Sequence, residues 1–229
     1  MDEYLIHPGE RVDDLLCRGL KIIQNTDSYC FSIDAVLLTN FVKARGQDRI
    51  IDLGTGTGVI PLLLSAKTEA QEIVGIEIAE EAAQRAQRSV EMNRLEHRIE
   101  IISADLKDAP KLFGVGSFSV VVTNPPYMVV GEGKISPHRD KALARHELAV
   151  TLAQVIEVGQ RLLKYGGKFY MVHRTVRLAE VIGELRAAAL EPKILQLIQP
   201  RQGGKPNLFL IMAQKGAGQG LNVLPPLII

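Results

Sequence analysis

Cysteine, long apolar runs and excess charge of either sign are all scarce in this chain. It has only two cysteines, Cys17 and Cys30, in 229 residues; they lack metal-ligand spacing and no secretory segment accompanies them. That usage points to a reducing compartment, and the expectation is a cytoplasmic protein without a metal. No apolar run approaches the roughly eighteen residues of a membrane span, and Met1-Asp2-Glu3 is acidic where a signal peptide is basic, so no membrane partner is expected. A formal net charge of +1 with 46% hydrophobic residues excludes a solvated tail, a fibre or a polyanion-coating protein. Any nucleic-acid partner must be met by a local patch. Internal repeats and low-complexity tracts are absent as well.

What is present is organised around Arg49-Ile50-Ile51-Asp52-Leu53-Gly54-Thr55-Gly56-Thr57-Gly58, followed at once by Val59-Ile60-Pro61-Leu62-Leu63-Leu64. An apolar run, a glycine turn and a helical stretch form the entry to a nucleotide-binding βαβ unit, with glycines where backbone must approach a ligand closely. The spacing is GxGxG. A dinucleotide site uses GxGxxG and sets a pyrophosphate on the helix N-terminus, whereas Asp52 directly before the glycines suits a ligand carrying positive charge, such as S-adenosylmethionine. A bare tight turn is the plainer alternative. Against it, Ile73-Val74-Gly75-Ile76-Glu77 ends in a second acid, where such folds bind a ribose diol, and the strand Ile99-Glu100-Ile101-Ile102-Ser103 is followed by Asp105.

Strands at 49–53, 73–77, 99–103, 118–123 and 167–172 alternate with helical or loop segments, which predicts a doubly wound sheet with the glycine turn at its switch point. Helices are expected over 79–94, its Arg85, Arg88 and Arg94 forming a solvated face, and over 175–189. Strands at 193–199 and 207–214, joined by Pro200-Arg201-Gln202-Gly203-Gly204-Lys205-Pro206, must run antiparallel. The fold class is therefore α/β: a doubly wound, mostly parallel seven-stranded sheet with a C-terminal antiparallel hairpin and a small N-terminal extension. Residues 1–46 are read as a hairpin and helix packed on a catalytic domain spanning 47–229. The hairpin places 19–24 against 29–31 about a turn at Asn25-Thr26-Asp27, and Ser32 caps a helix over 33–42 that carries Asp34 in its first turn. The apolar tail 221–229, with two prolines, either docks on the body or stays disordered.

Phe118-Ser119-Val120-Val121-Val122-Thr123-Asn124-Pro125-Pro126-Tyr127 is the most informative stretch, a buried strand ending in Asn-Pro-Pro-Tyr. Pro125 and Pro126 have fixed φ and no N–H, so the turn presents carbonyl oxygens rigidly. The side-chain oxygen of Asn124 and the Pro125 carbonyl can together accept both hydrogens of a planar amine, favouring the pyramidal geometry in which its lone pair attacks a methyl sulfonium. Tyr127 can stack on a planar substrate. The plainer reading is a strand stop followed by a core tyrosine. One asparagine serves adenine N6 and a glutamine amide equally well, so the motif alone leaves the substrate open.

Asp52-Leu53-Gly54-Thr55-Gly56-Thr57-Gly58, Glu77, Asp105 and Asn124-Pro125-Pro126-Tyr127 resemble the class I S-adenosylmethionine-dependent methyltransferases that modify planar amino groups. Gly19-Leu20-Lys21-Ile22-Ile23-Gln24-Asn25, Phe31-Ser32-Ile33-Asp34-Ala35-Val36-Leu37-Leu38 and Ala144-Arg145-His146-Glu147 are similar to the bacterial tRNA adenine-N6 methyltransferase family, over roughly residues 10 to 215. The resemblance implies S-adenosylmethionine as cofactor and tRNA as partner, the target being the adenine beside the anticodon of a valine tRNA. It implies cofactor contacts from Asp34, Asp52, Gly54, Thr55, Gly56, Glu77, Ile78, Asp105, Leu106 and Asn124, with catalysis at Asn124, Pro125, Pro126 and Tyr127. Lys134, Arg139, Lys141 and Arg145, with His138 and His146, make a basic segment after the motif that is expected to meet RNA phosphates, and Lys193, Arg201 and Lys205 extend it. Glutamine methyltransferases acting on release factors share the tetrapeptide and guanine-N2 RNA enzymes have close variants; an NAD oxidoreductase and a non-catalytic RNA-binding module are the readings from other classes.

Overall fold

The computed structural model describes residues 5–26, 32–125 and 150–229. Its centre is β3 (Arg49–Leu53), flanked on one side by β4 (Glu72–Glu77) and on the other by β6 (Phe118–Thr123), all three parallel. Each is an unbroken apolar run because both faces are covered, which is how a parallel strand differs from an alternating one. β5 (Ile99–Ser103) continues the sheet beyond β4. Beyond β6 come β7 (Leu163–Arg174), then β9 (Leu208–Lys215) and β8 (Leu190–Gln199), with β9 antiparallel to both neighbours; β10 (Asn222–Ile228) closes that end. The order is β10-β8-β9-β7-β6-β3-β4-β5. The chain leaves β3 in one direction for β4 and later returns on its other side as β6, so the switch point lies where the glycine turn begins.

Helices cover both faces. α1 (Ile33–Phe41), α2 (Val59–Lys67) and α3 (Glu80–Met92) join a core with Ile50, Ile73, Val120 and Tyr170; α4 (Ala109–Phe113), α5 (Leu152–Leu162) and α6 (Leu178–Ala187) join another with Ile51, Val74, Phe118, Phe169 and Phe209. Residues one apart in β3 thus serve opposite faces, as a pleated strand requires. α5 opens with a capping box in which Thr151 and Gln154 satisfy each other's backbone N–H.

Two features differ from the sequence expectation, and a third decides between alternatives that it left open. β2 (Lys21–Asn25) pairs with β1 (Glu10–Asp14), the strand before it, with Val12 opposite Ile23; residues 27–31, the expected partner side, lie outside the described residues. The reason is in α3. Its Arg85 and Arg88 are not a solvated face: both bind the Glu10 carboxylate, Arg85 Nε at 3.0 Å and Arg88 Nη1 at 2.6 Å, and Ser89 Oγ accepts the Ile23 N–H at 3.0 Å. Helix α3 therefore captures the polar strand Glu-Arg-Val-Asp-Asp, which has no hydrophobic pattern of its own. The third feature is the tail. It forms β10, an eighth strand parallel to β8, and Pro225 and Pro226 fall where its register breaks between Leu224 and Leu227. Consecutive residues of a strand aim their N–H groups at opposite sides, so one missing donor faces the open edge, where no neighbour needs it, and the break in register accommodates the other.

Candidate functional site

All strands from β5 to β7 end at the same edge of the sheet, and the turn after β3 is the tightest feature there. Gly54, Gly56 and Gly58 have φ of 75°, 56° and 79°. Such values are strained for any residue bearing Cβ. The Gly54 and Thr55 N–H groups donate to the Ile76 carbonyl, 3.0 Å each, which pins the turn to the end of β4. A Cβ on Gly54 or Gly56 would meet nothing within 4 Å, so the outer side of the turn is open; one on Gly58 would come within 2.9 Å of Ala86 Cβ, so that side is packed on α3. The turn is a shelf with a free upper surface.

Glu77, at the end of β4, is buried, and its carboxylate accepts the Gly56 N–H at 2.8 Å and the Ala79 N–H at 2.9 Å. Those bonds orient it across the shelf. A carboxylate accepts at about four positions, so the geometry suits a vicinal diol. Ile78 follows with 45% of its surface exposed, an apolar contact beside the acid. Asp105, just past β5, caps the short helical turn Leu106–Asp108 through the Lys107 N–H at 2.9 Å and pairs with Lys107 Nζ at 3.0 Å; Leu106 is half-buried next to it. Ile76 lies opposite Ile102 and Glu77 opposite Ser103, so Glu77, Ile78, Asp105 and Leu106 share this edge.

Asp52 is fully buried, below the shelf rather than on it. Neither carboxylate oxygen, nor Thr55 Oγ1, has a hydrogen-bond partner. Burial pushes the Asp52 carboxyl up from 3.8 to about 7; proximity of the Thr55 hydroxyl opposes that shift and the Glu77 carboxylate adds to it. A buried, unpartnered carboxylate under an open glycine shelf is stabilised by positive charge placed above it. The donor set thus fits a cationic ligand carrying a diol.

Asp34 belongs to α1. Lys67 Nζ, in the last turn of α2, donates to Thr39 Oγ1 at 3.2 Å and Asn40 Oδ1 at 2.6 Å near the end of α1, which ties the last turns of the two nine-residue helices together. Asp34, in the first turn, is buried.

On the other side of the switch point Thr123 Oγ1 donates to the Leu53 carbonyl at 2.9 Å, binding the end of β6 to the start of the glycine turn. Asn124 and Pro125 come next. Asn124 is half-buried and Pro125 buried, which brings the first half of the expected amine-binding motif beside the shelf. Pro126, Tyr127, Lys134, His138, Arg139, Lys141, Arg145 and His146 lie outside the described residues. Lys193 does not join this edge: its Nζ donates to the Gly218 carbonyl at 2.9 Å, on the link that leads into β10. The sequence reading passed over His173. It ends the apolar run of β7, with Thr123 opposite Met171, and is fully buried. Burial holds its imidazole down at about 4, neighbouring Arg177 adds to that, and its Nδ1 accepts the Arg174 N–H at 2.8 Å. A histidine closing an apolar strand was the available signal. Among the described residues no group of three or more His, Cys, Asp or Glu could hold a metal ion, and no helix is long and apolar enough to cross a membrane.

The family model described as methyltransferase small domain matches residues 32–191. A tRNA1(Val) (adenine(37)-N6)-methyltransferase of Bacteroides thetaiotaomicron is 32% identical over 185 residues, which cover 78% of this chain and 73% of the relative. One of the same name from Tolumonas auensis is 27% identical over 183 residues, covering 80% and 75%. Among solved structures, a predicted O-methyltransferase of Agrobacterium tumefaciens superposes with a TM-score of 0.68 at 25% identity, covering 85% of this chain and 86% of that one. A geranyl diphosphate C-methyltransferase of Streptomyces coelicolor, at 14% identity and a TM-score of 0.60, shares the fold.

Proposed function

The chain belongs to the methyltransferase small-domain family, and on that premise we propose that it transfers the methyl group of S-adenosylmethionine to N6 of an adenine beside the anticodon of a tRNA. The observation that supports the reading is the Thr123 bond to the Leu53 carbonyl, at the start of the glycine turn: Asn124, the next residue, is the proposed amine acceptor, and the turn is the proposed cofactor site. The relatives' shared name supplies the nucleotide, adenine 37 of tRNA1(Val).

S-adenosylmethionine, when bound, supplies an electrophilic methyl sulfonium. Glu77 would hold its ribose hydroxyls, Ile78 and Leu106 would give its base apolar contact, and Asp105 would accept from that base's edge. Asp52 would stabilise its positive charge, and Asp34 would lie near it. Asn124 Oδ1 and the Pro125 carbonyl accept the two N6 hydrogens of the target adenine, and the Asn124 NH2 donates to N1. Held this way, N6 is turned from planar toward pyramidal and its lone pair is exposed. Its attack on the methyl would break the bond to sulfur, which would keep the electron pair and leave as a neutral thioether. The cationic N6 would then pass one proton to water, so no strong base is required and orientation and fixed dipoles provide the rate. Pro126 and Tyr127 extend the site on the strength of the sequence motif, Tyr127 by stacking on the base. An unpaired loop nucleotide is the cheapest to turn out of its stack, which favours an anticodon loop over a duplex.

The test is transfer of labelled methyl from S-adenosylmethionine to tRNA lacking the modification and, separately, to a peptide-release factor. Label in tRNA alone, recovered after digestion as N6-methyladenosine, is the expected result. Label in the release factor alone overturns the substrate and leaves the cofactor site standing.

A further inference from the structure

The sheet edge is divided by chemistry. Acids mark the strand ends on one side of the switch point, Glu77 closing β4 and Asp105 following β5, whereas beyond Asn124 β7 closes on Arg174 and the connection after β8 carries Arg201 and Lys205. β7 finishes at Arg174, and Thr175–Arg177 follow as a single helical turn. β9 starts opposite Arg174 at Leu208, and Ile198 of β8 faces Leu208 from the far side, so the β8–β9 connection, residues 200–207, lies at this same edge. That connection carries Arg201 and Lys205, both exposed.

The two segments are locked together. Thr175 N–H donates to the Asn207 carbonyl at 3.1 Å and Thr175 Oγ1 to the Pro206 carbonyl at 2.9 Å. Within the connection Gly204 N–H closes on the Arg201 carbonyl at 2.9 Å, and Asn207 N–H returns to Ile198 at 3.1 Å. The result is a fixed platform on which Arg174, Arg201 and Lys205 are exposed, with Arg177 mostly buried against Glu180. Glu180, paired with Arg177, is the carboxylate on it; among the described residues Arg201 and Lys205 pair with no carboxylate. Val176 stands 87% exposed between the two arginines.

We propose that this platform, formed by residues 174–177 and 200–207, binds the RNA strand that flanks the methylated nucleotide. The inference rests on the tRNA reading above and adds where the RNA lies. Cofactor and substrate then approach Asn124 from opposite halves of the edge: the acidic half repels phosphate and receives the sulfonium, and the basic half attracts phosphate. From Asn124 to the connection is three strand steps of ~4.8 Å, roughly 15 Å along the edge. That span is a few nucleotides of single strand, so the platform contacts the anticodon stem-loop and not a distant arm of the tRNA.

The experiment compares wild type with R201E/K205E and R201Q/K205Q on full-length tRNA and on an isolated anticodon stem-loop. The R201E/K205E variant should raise KM for both RNAs at least about tenfold, with the glutamine pair intermediate, since phosphate contacts dominate affinity for RNA. The slope of log KM on log salt should shrink by about 1.4, as two single-strand phosphate contacts are lost. S-adenosylmethionine affinity by calorimetry and kcat at saturating RNA should hold, which also reports that the variants fold. Methylation of both RNAs by wild type, with KM and salt slope unchanged in the variants, overturns the platform; so does a loss confined to full-length tRNA. Wild-type protein that methylates neither RNA overturns the tRNA reading itself, and the platform with it.

Discussion

Replacing Asp52 by Asn should stabilise the cofactor-free protein at neutral pH, although it removes a residue of the proposed cofactor site. The reason is the buried charge. In the fold the Asp52 carboxyl titrates near 7 instead of 3.8. An acid whose folded value is raised binds its proton more tightly in the folded state, so folding stability falls as pH rises from the unfolded value through the folded one. At about 1.36 kcal/mol for each pH step, the whole interval from 3.8 to about 7 amounts to roughly 4 kcal/mol. The part between pH 5 and pH 8 is roughly 2–3 kcal/mol. The amide keeps the shape and the unpaired polar atoms but carries no charge, so only this pH-dependent part is recovered. Urea denaturation of both proteins without cofactor, at pH 5 and pH 8, measures it as a difference of differences in which titrating histidines cancel. The advantage of the Asp52→Asn variant over wild type should grow by about 2–3 kcal/mol toward pH 8, with m-values unchanged. An advantage of equal size at both pH values, or a variant less stable at pH 8 than at pH 5 relative to wild type, refutes the argument. Cofactor affinity should move the other way, because the variant lacks the negative charge beneath the shelf.

Other perturbations read other parts of the molecule. Glu77→Ala should weaken S-adenosylmethionine binding by about 1.5–3 kcal/mol, since hydrogen bonds to a charged acceptor are lost; unchanged affinity in calorimetry rejects the ribose assignment. Asn124→Ala should lower methyl transfer about 10²–10³-fold while leaving cofactor binding nearly intact, and wild-type turnover would remove Asn124 from the mechanism. Glu10→Gln leaves Arg85 and Arg88 without their carboxylate and should cost about 3–5 kcal/mol in denaturant unfolding. The Glu10 carboxyl is held down at about 2, chiefly by its hydrogen bond from Arg88, so in wild type the same stabilisation is complete above pH 4.5 and is lost as pH falls toward 2. A variant whose acid unfolding midpoint matches that of wild type contradicts this role.

The parts of the fold that were legible in the sequence are those set by local pattern. β3, the glycine turn and α2 were readable because a strand buried on both faces, a run of positive φ and a helix follow within nineteen residues, 49–67. The places of Glu77 and Asp105 at the sheet edge were readable because each stands at the end of an apolar strand. The burial of Asp52 was not, since an acid above the shelf and one below it have the same sequence. Nor was the pairing of β1, whose five residues are mostly polar and are held by α3 from 75 positions away. Arg85 and Arg88 looked like surface for the same reason: the strand that covers them comes from elsewhere in the chain.

The paired prolines of β10 have a consequence for the behaviour of the protein in concentrated solution. β10 ends the sheet with Val223 and Ile228 more than half or half exposed, at 56% and 50%, a composition that invites another chain to add a strand. Pro225 and Pro226 remove two neighbouring donors near the middle of that strand, one of them on its open side, and the register breaks at the same place. A second molecule docking edge to edge would therefore find its ladder interrupted after two or three rungs. The tail thus covers the edge of β8 and offers aggregating chains a poor template in its place.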